Sequence, residues 1–277
     1  MSMLLKSAVL LAALALPATA LAAPVLPDFD AATFVNGAPI DNRYFPLLDR
    51  NVRVYVNEEE GEDVRFEQQV VGPGRTLLGV QTTAVRDRDF EGGLLVEDTL
   101  DYYAQDSDGN VWYFGEDVTH FDYDDEGHLI GTHGGSSWLA GQNLANPGGE
   151  PASPGFIMPA KPTIGFEYFQ EHAEDDEALD QARVFSIVPL VETPFGSFTD
   201  VLQILETTAL EPDDRGFKYY ASGVGLIMED EGLDESFANP EARLPLTRVT
   251  AVPEPSTTLL LAAGLAAMAA GVRRRRC

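Results

Sequence analysis

Cysteine is all but missing from this 277-residue sequence: the one present, Cys277, is the last residue. That excludes the small cystine-stapled class, so any core must be held by burial alone. Lysine is almost as scarce, occurring only as Lys6, Lys161 and Lys218, so most of the 18 basic residues are arginine; they face 45 acidic ones, for a net charge of −27. Such a surface repels phosphate backbones, and nucleic acid is not an expected partner. A Ser- or Pro-rich linker and an internal repeat are also missing, and the length fits one all-β domain.

The two ends carry distinctive patterns. Lys6 precedes an apolar run over 8–16, and Ala20 and Ala22 supply the A-x-A pattern read by signal peptidase. A signal peptide over 1–22 is expected, cut between Ala22 and Ala23, because the run is shorter than the roughly 20 residues a bilayer span needs. At the other end, Pro253-Glu254-Pro255-Ser256 leads into an apolar run over 257–272 and then Arg273, Arg274, Arg275 and Arg276. Proline fixes φ and removes a donor, so a transmembrane helix starts after Pro255. At about 1.5 Å per residue it reaches roughly 24 Å, a little short of the hydrocarbon core. Four arginines stay cytoplasmic, which leaves everything before Pro253 outside the inner membrane.

This ending resembles the PEP-CTERM sorting signal of Gram-negative bacteria, here over 251–277. The resemblance implies recognition by an exosortase, removal of the tail near Pro-Glu-Pro, and a destination at the outer surface or in the extracellular matrix. Exopolysaccharide is the company that such systems imply. An ordinary anchor would use the same run but has no need for Pro-Glu-Pro. Setting aside Lys6, Glu254 and the four terminal arginines leaves 13 basic against 44 acidic residues, a net of −31. Solubility accounts for such acidity; dilute divalent cations and a salty habitat are alternatives.

Residues 23–250 read as one acidic, all-β domain of antiparallel strands, a curved meander sheet or a sandwich, with a short helix and one long loop. Runs rich in β-branched and aromatic residues over 53–57, 64–71, 76–85 and 94–103 predict strands, and Val64, Phe66, Gln68 and Val70 alternate with polar neighbours. The gaps are too short for crossover helices, so pairing is antiparallel. Asp106-Ser107-Asp108-Gly109-Asn110 is a hairpin turn, and a second follows at 124–127. Residues 132–162 dissolve into Gly, Pro, Ser and Asn, with Trp138 and Met158 isolated, and predict a long loop. A helix is expected over 171–182, followed by strands over 184–188, 198–205, 217–220 and 224–228, with a turn at Ser222-Gly223.

The middle resembles a family of exported bacterial β-proteins with no assigned activity. Asp108-Gly109-Asn110-Val111-Trp112-Tyr113-Phe114-Gly115-Glu116, Ser137-Trp138-Leu139-Ala140-Gly141 and Pro154-Gly155-Phe156-Ile157-Met158-Pro159-Ala160 carry the likeness. Tyr168, Gln170-Glu171 and Lys218-Tyr219-Tyr220-Ala221-Ser222-Gly223-Val224-Gly225-Leu226 extend it. It implies a fold and transfers no catalytic residue.

Chemistry is harder to locate. Ser136 and Ser137 follow Gly134-Gly135 but lack the closing glycine of a nucleophile elbow. His128, His133 and Asp122 would make a zinc site only if strands brought them together. Calcium suits the excess of oxygen ligands better, at Asp106, Asp108 and Asn110, or in the turn of Asp122, Asp124, Asp125 and Glu126. Asp117, however, stands where an EF-hand loop needs its glutamate. Glu116, Glu167 and Glu171 are candidates for glycoside hydrolysis if they line a cleft with Trp112 or Trp138. The expected role is structural or binding rather than enzymatic, with a polymer hydrolase or a calcium-dependent module as the alternatives.

Overall fold

The computed structural model describes residues 23–57 and 64–252; the expected signal peptide, the Pro-Glu-Pro element, the span over 257–272 and the arginine cluster lie outside them. Among the described residues no helix is long and apolar enough to cross a membrane.

Strands β1 (Val52–Asn57), β2 (Val64–Leu77), β3 (Val80–Glu91), β4 (Leu94–Gln105) and β5 (Val111–Tyr123) form a meander. Three short strands then pair with β5: β6 (Leu129–His133), β7 (Trp138–Leu139) and β8 (Ser153–Met158). After β9 (Glu167–Phe169) and β10 (Glu171–His172) comes a second meander of β11 (Asp180–Thr193), β12 (Gly196–Thr208), β13 (Arg215–Ala221), β14 (Gly225–Glu231) and β15 (Ala242–Thr250). The pairing of β1 with β15 joins the two meanders.

At the far edges β10 pairs with β8 and β9 with β11, so one stretch of chain, interrupted only at Gln170, supplies both edges. The all-β sheet is thus a nearly closed antiparallel barrel. Gly155 makes that seam possible: a Cβ there would fall 2.2 Å from the Phe169 carbonyl oxygen.

The strands over 53–57, 64–71, 94–103, 184–188, 198–205, 217–220 and 224–228 form where the sequence places them, and several run longer. The 76–85 run is instead broken by a hairpin at Leu78-Gly79, both at positive φ (50° and 81°), as a two-residue type I′ turn requires. Residues 171–182 are not helical: β10, a turn at Ala173–Ala178 and the start of β11 occupy them. Pairing to β8 and β12 overrides the local alanine and acidic bias. The 132–162 loop contains the end of β6 and all of β7 and β8, and Trp138 and Met158 are fully buried. β15 is a strand that the sequence analysis does not place; its Pro245 lies past the last β1 pair and faces Met228 of β14 alone, where a missing N–H is tolerated.

Candidate functional site

Inward-facing rows change character along each strand. Val85 gives way to Asp87 and Asp89 on β3, Tyr103 to Asp101 and Glu97 on β4, and Ile204 to Glu206 on β12. On β13 and β14, Tyr220 and Leu226 give way to Lys218, Glu229 and Glu231. One end of the barrel is therefore a packed apolar core, capped by residues 40–47, where the Phe45 ring lies 5.1 Å from that of Tyr103 and 6.2 Å from that of Tyr220. The other end is a cavity of about 380 Å³ with walls from both meanders. It continues into a neighbouring space of about 370 Å³ that shares Asp180, Glu206, Lys218, Glu229 and Glu231.

Ten carboxyl groups and one ammonium, Lys218, line the first cavity. The outer face is arranged oppositely: Glu67 meets Arg88, Asp98 meets Arg86, and Asp117 meets Arg75. Depth varies along the cavity wall. Asp101 and Glu171 are only 5% and 6% exposed, whereas Asp180, Asp214 and Glu231 are exposed at the rim. Lys218 Nζ lies 3.0 Å from Glu206 Oε2 and 3.9 Å from Glu229 Oε1. Its side chain keeps 33% exposure although protein surrounds it, as expected for a group facing an enclosed wet space. Gln170, at the seam, donates from Nε2 to Glu206 Oε1 at 2.7 Å.

Too little positive charge is present to compensate these acids, and protons make up part of the difference. Burial first, then neighbouring carboxylates, pushes Asp89 up to about 7, Glu171 to about 8, and Asp87 and Glu116 well above the carboxylate range. Burial likewise raises Asp101 to about 6, against a hydrogen bond from Tyr113, and Glu229 to about 7, against Lys218. Burial alone would lower Lys218, but Glu206 and Glu229 hold it well above its ordinary value. The Tyr113 hydroxyl lies 2.7 Å from Asp101 Oδ1 and 3.0 Å from Glu116 Oε2. One phenolic proton fully serves one carboxylate, so the second contact is satisfied when that carboxyl is itself protonated and donates. Asp87 receives a 3.3 Å bond from Gln68 on Oδ2, while its buried Oδ1 has no donor. The buried Trp138 indole N–H also lacks a partner of normal hydrogen-bond geometry, although it neighbours Glu171.

Of the residues singled out from sequence, Glu116 and Glu171 enter this cavity, whereas Glu167 pairs with Arg183 elsewhere. Trp112 and Trp138 are buried and offer no open aromatic face. The Asp106 carboxylate accepts N–H groups from Asp108, Asn110 and the Trp112 indole, and Asn110 Oδ1 accepts the Ala160 N–H, the bonding of a tight turn. The three proposed zinc ligands are not brought together: His133 faces Asp122 at 3.6 Å, while His128 pairs with Asp124. Among the described residues, Asp124, Glu126 and His128 are the group whose ligand atoms lie within 4.8 Å of one another. Ser137 Oγ accepts the Val118 N–H. Sequence reasoning missed Asp87, Asp89, Glu97, Asp101, Asp180, Glu206, Lys218, Glu229 and Glu231. Asp87 with Asp89 and Glu229 with Glu231 carry a signal, acids at i, i+2 spacing within strands, where a buried face should be apolar; the other five carry none.

No curated protein matches the chain. Among solved structures, the chain is similar to an exported protein of YmcC-like fold from Bacteroides fragilis NCTC 9343 and to a lipoprotein from Parabacteroides distasonis ATCC 8503. The first is 11% identical with a TM-score of 0.37, covering 76% of this chain and 99% of that one. The second is 12% identical with a TM-score of 0.35, covering 76% and 100%. Residues 251–276 match the PEP-CTERM protein-sorting motif, so the chain is an exported protein whose sorting to the cell envelope or surface depends on an exosortase.

Proposed function

We propose that this protein is a non-enzymatic binding module of the cell surface or extracellular matrix, held in the company of exopolysaccharide, with the acid-lined barrel interior as its ligand site. The observation that carries this reading is a cavity of ligand size enclosed by both meanders, in which ten carboxyl groups surround a single ammonium. Packing alone would fill such an interior with apolar side chains.

The hydrolase reading draws on Glu116 and Glu171, which share the cavity. Glycoside hydrolysis requires one carboxyl protonated and its partner ionised. Burial pushes both of these upward, so the environment does not separate their roles. The domain over 23–250 is released, in this reading, by signal peptidase at Ala22–Ala23 and by exosortase near Pro253, after transient anchoring through 257–272 with the arginines cytoplasmic.

Two measurements test the proposal. Surface polysaccharide and soluble saccharides are screened by thermal shift against the protein and its Glu171→Gln and Glu229→Gln variants. Ligand shifts that the variants alter support the lumen, while release of reducing ends from a polymer would replace binding with turnover. The C-terminal mass, compared in strains with and without exosortase, must differ.

A further inference from the structure

The lumen's chemistry narrows its ligand further, on the reading that the lumen is the site. Three observations converge. The first is Asp87 Oδ1, a carboxyl oxygen at the cavity that is walled in by protein and lacks a partner of normal hydrogen-bond geometry, although its carboxyl neighbours that of Asp101. A buried acceptor in that state costs free energy that an incoming donor recovers.

The second is Lys218. Its ammonium sits between Glu206 and Glu229, on a four-carbon stem from β13, the strand that lies between theirs. The barrel thus already holds one alkylammonium between paired lumen carboxylates, and that pair is compensated. The group formed by Asp87 and Asp101 on one wall and Glu116 and Glu171 on the next has no cation of its own among the described residues.

The third observation separates a metal from an organic cation. The acids are spread over opposing walls of a 380 Å³ space, and no three of those described bring ligand atoms within 4.8 Å of one another. A divalent ion needs convergent oxygens at about 2.0–2.6 Å. Dispersed carboxyl groups with Phe45, Phe66, Tyr103 and Tyr113 on the same cavity lining fit ammonium groups spaced along an apolar stem, where aromatic faces add cation–π attraction.

We infer that the lumen binds an organic cation carrying two or more amino groups on a flexible stem, with one ammonium seated at Asp87 and Asp101. Free linear polyamines and amino-sugar oligomers both present this chemistry.

The test is calorimetry on the purified protein at pH 8 and physiological salt, with spermidine, a glucosamine disaccharide, the uncharged N-acetylated disaccharide and calcium as separate probes. Spermidine is expected to bind once per chain and at least about tenfold more weakly to Asp87→Asn, each tenfold being about 1.4 kcal/mol. Asp87→Asn keeps the shape and removes only the ability to ionise, so the fold survives; Glu116→Gln serves as a second variant. Preference for the glucosamine disaccharide over spermidine identifies the source as amino sugar. Spermidine binding that neither variant changes is surface counterion condensation and overturns the inference. Calcium binding in its place, sensitive to the same variants, also overturns it. Variant-sensitive binding of the N-acetylated disaccharide alone refutes the cationic ligand while leaving the lumen as the site. If the variants affect no probe, the lumen reading falls as well.

Discussion

Replacing Glu171 by glutamine should stabilise the protein at alkaline pH and leave it nearly unchanged in mild acid. Glu171 is 6% exposed and is held up to about 8, by burial first and then by Asp180. In the unfolded chain a glutamate titrates near 4.3. Between these values the folded state holds a proton that the unfolded state lacks, so the contribution is fully present below about pH 4 and lost as pH rises through 8. From pH 5 to pH 8 the loss from this one group is about 3.5 kcal/mol, at roughly 1.4 kcal/mol per unit and allowing for the ends of both titrations. Glutamine keeps the shape and an acceptor oxygen but does not ionise. The variant should therefore exceed its parent by about 4–5 kcal/mol at pH 8, or roughly 9–18 °C in Tm, and by about 1 kcal/mol at pH 5. Urea unfolding followed by the fluorescence of the buried Trp112 and Trp138 reads the difference directly. Asp89, Asp101 and Glu229 titrate in both proteins, so the quantity of interest is the variant-minus-parent difference. An offset that is constant with pH, or largest at pH 5, would refute the assignment of a buried, protonated Glu171.

Lys218→Met should destabilise by about 2 kcal/mol at pH 8, because Glu206 and Glu229 lose their shared cation in a partly wet site; denaturation at pH 5 should show a smaller loss as the carboxyls protonate. Gly155→Ala should cost about 3 kcal/mol, since the new methyl meets the backbone carbonyls of Phe169 and Gln170 rather than a movable side chain; a wild-type Tm would show that the seam yields easily. Backbone amides over 167–172 should exchange hydrogen faster than those of β2–β4, because a three-residue and a two-residue strand hold the seam; equal protection would mean that the barrel opens elsewhere.

Where periodicity was strong, the fold was legible. Val64 to Val70 alternate, and β2 follows with Phe66 and Val70 buried. The turn at Leu78-Gly79 was hidden because leucine at positive φ gives no composition signal. The false helix over 171–182 shows local propensity losing to long-range pairing, which no window of sequence contains. The cavity was illegible for a related reason. Val-Arg-Asp-Arg-Asp at 85–89 reads as a solvated strand, since arginine and aspartate alternate; only closure of the sheet puts Asp87 and Asp89 inside while Arg86 and Arg88 find Asp98 and Glu67 outside. Glu116, Glu167 and Glu171 are candidates from sequence only on the condition of a shared cleft, and the reason Glu116 and Glu171 meet it, β8 lying between β5 and β10, belongs to topology.

The last strand has a consequence for the order of events during export. Thr250 of β15 pairs with Val52 of β1, and β15 lies between β1 and β14, in the middle of the sheet rather than at its rim. Only residues 251 and 252 separate it from Pro253, a tether of about 7 Å when extended. The barrel therefore completes only when almost the whole chain has emerged, and the enzyme that reads the tail meets a finished wall of protein beside its target. A chain cut short before β15 would present β1 and β14 as two unpaired ribbons. Such edges accept strands from neighbouring copies, so cleavage before β15 would favour strand pairing between chains.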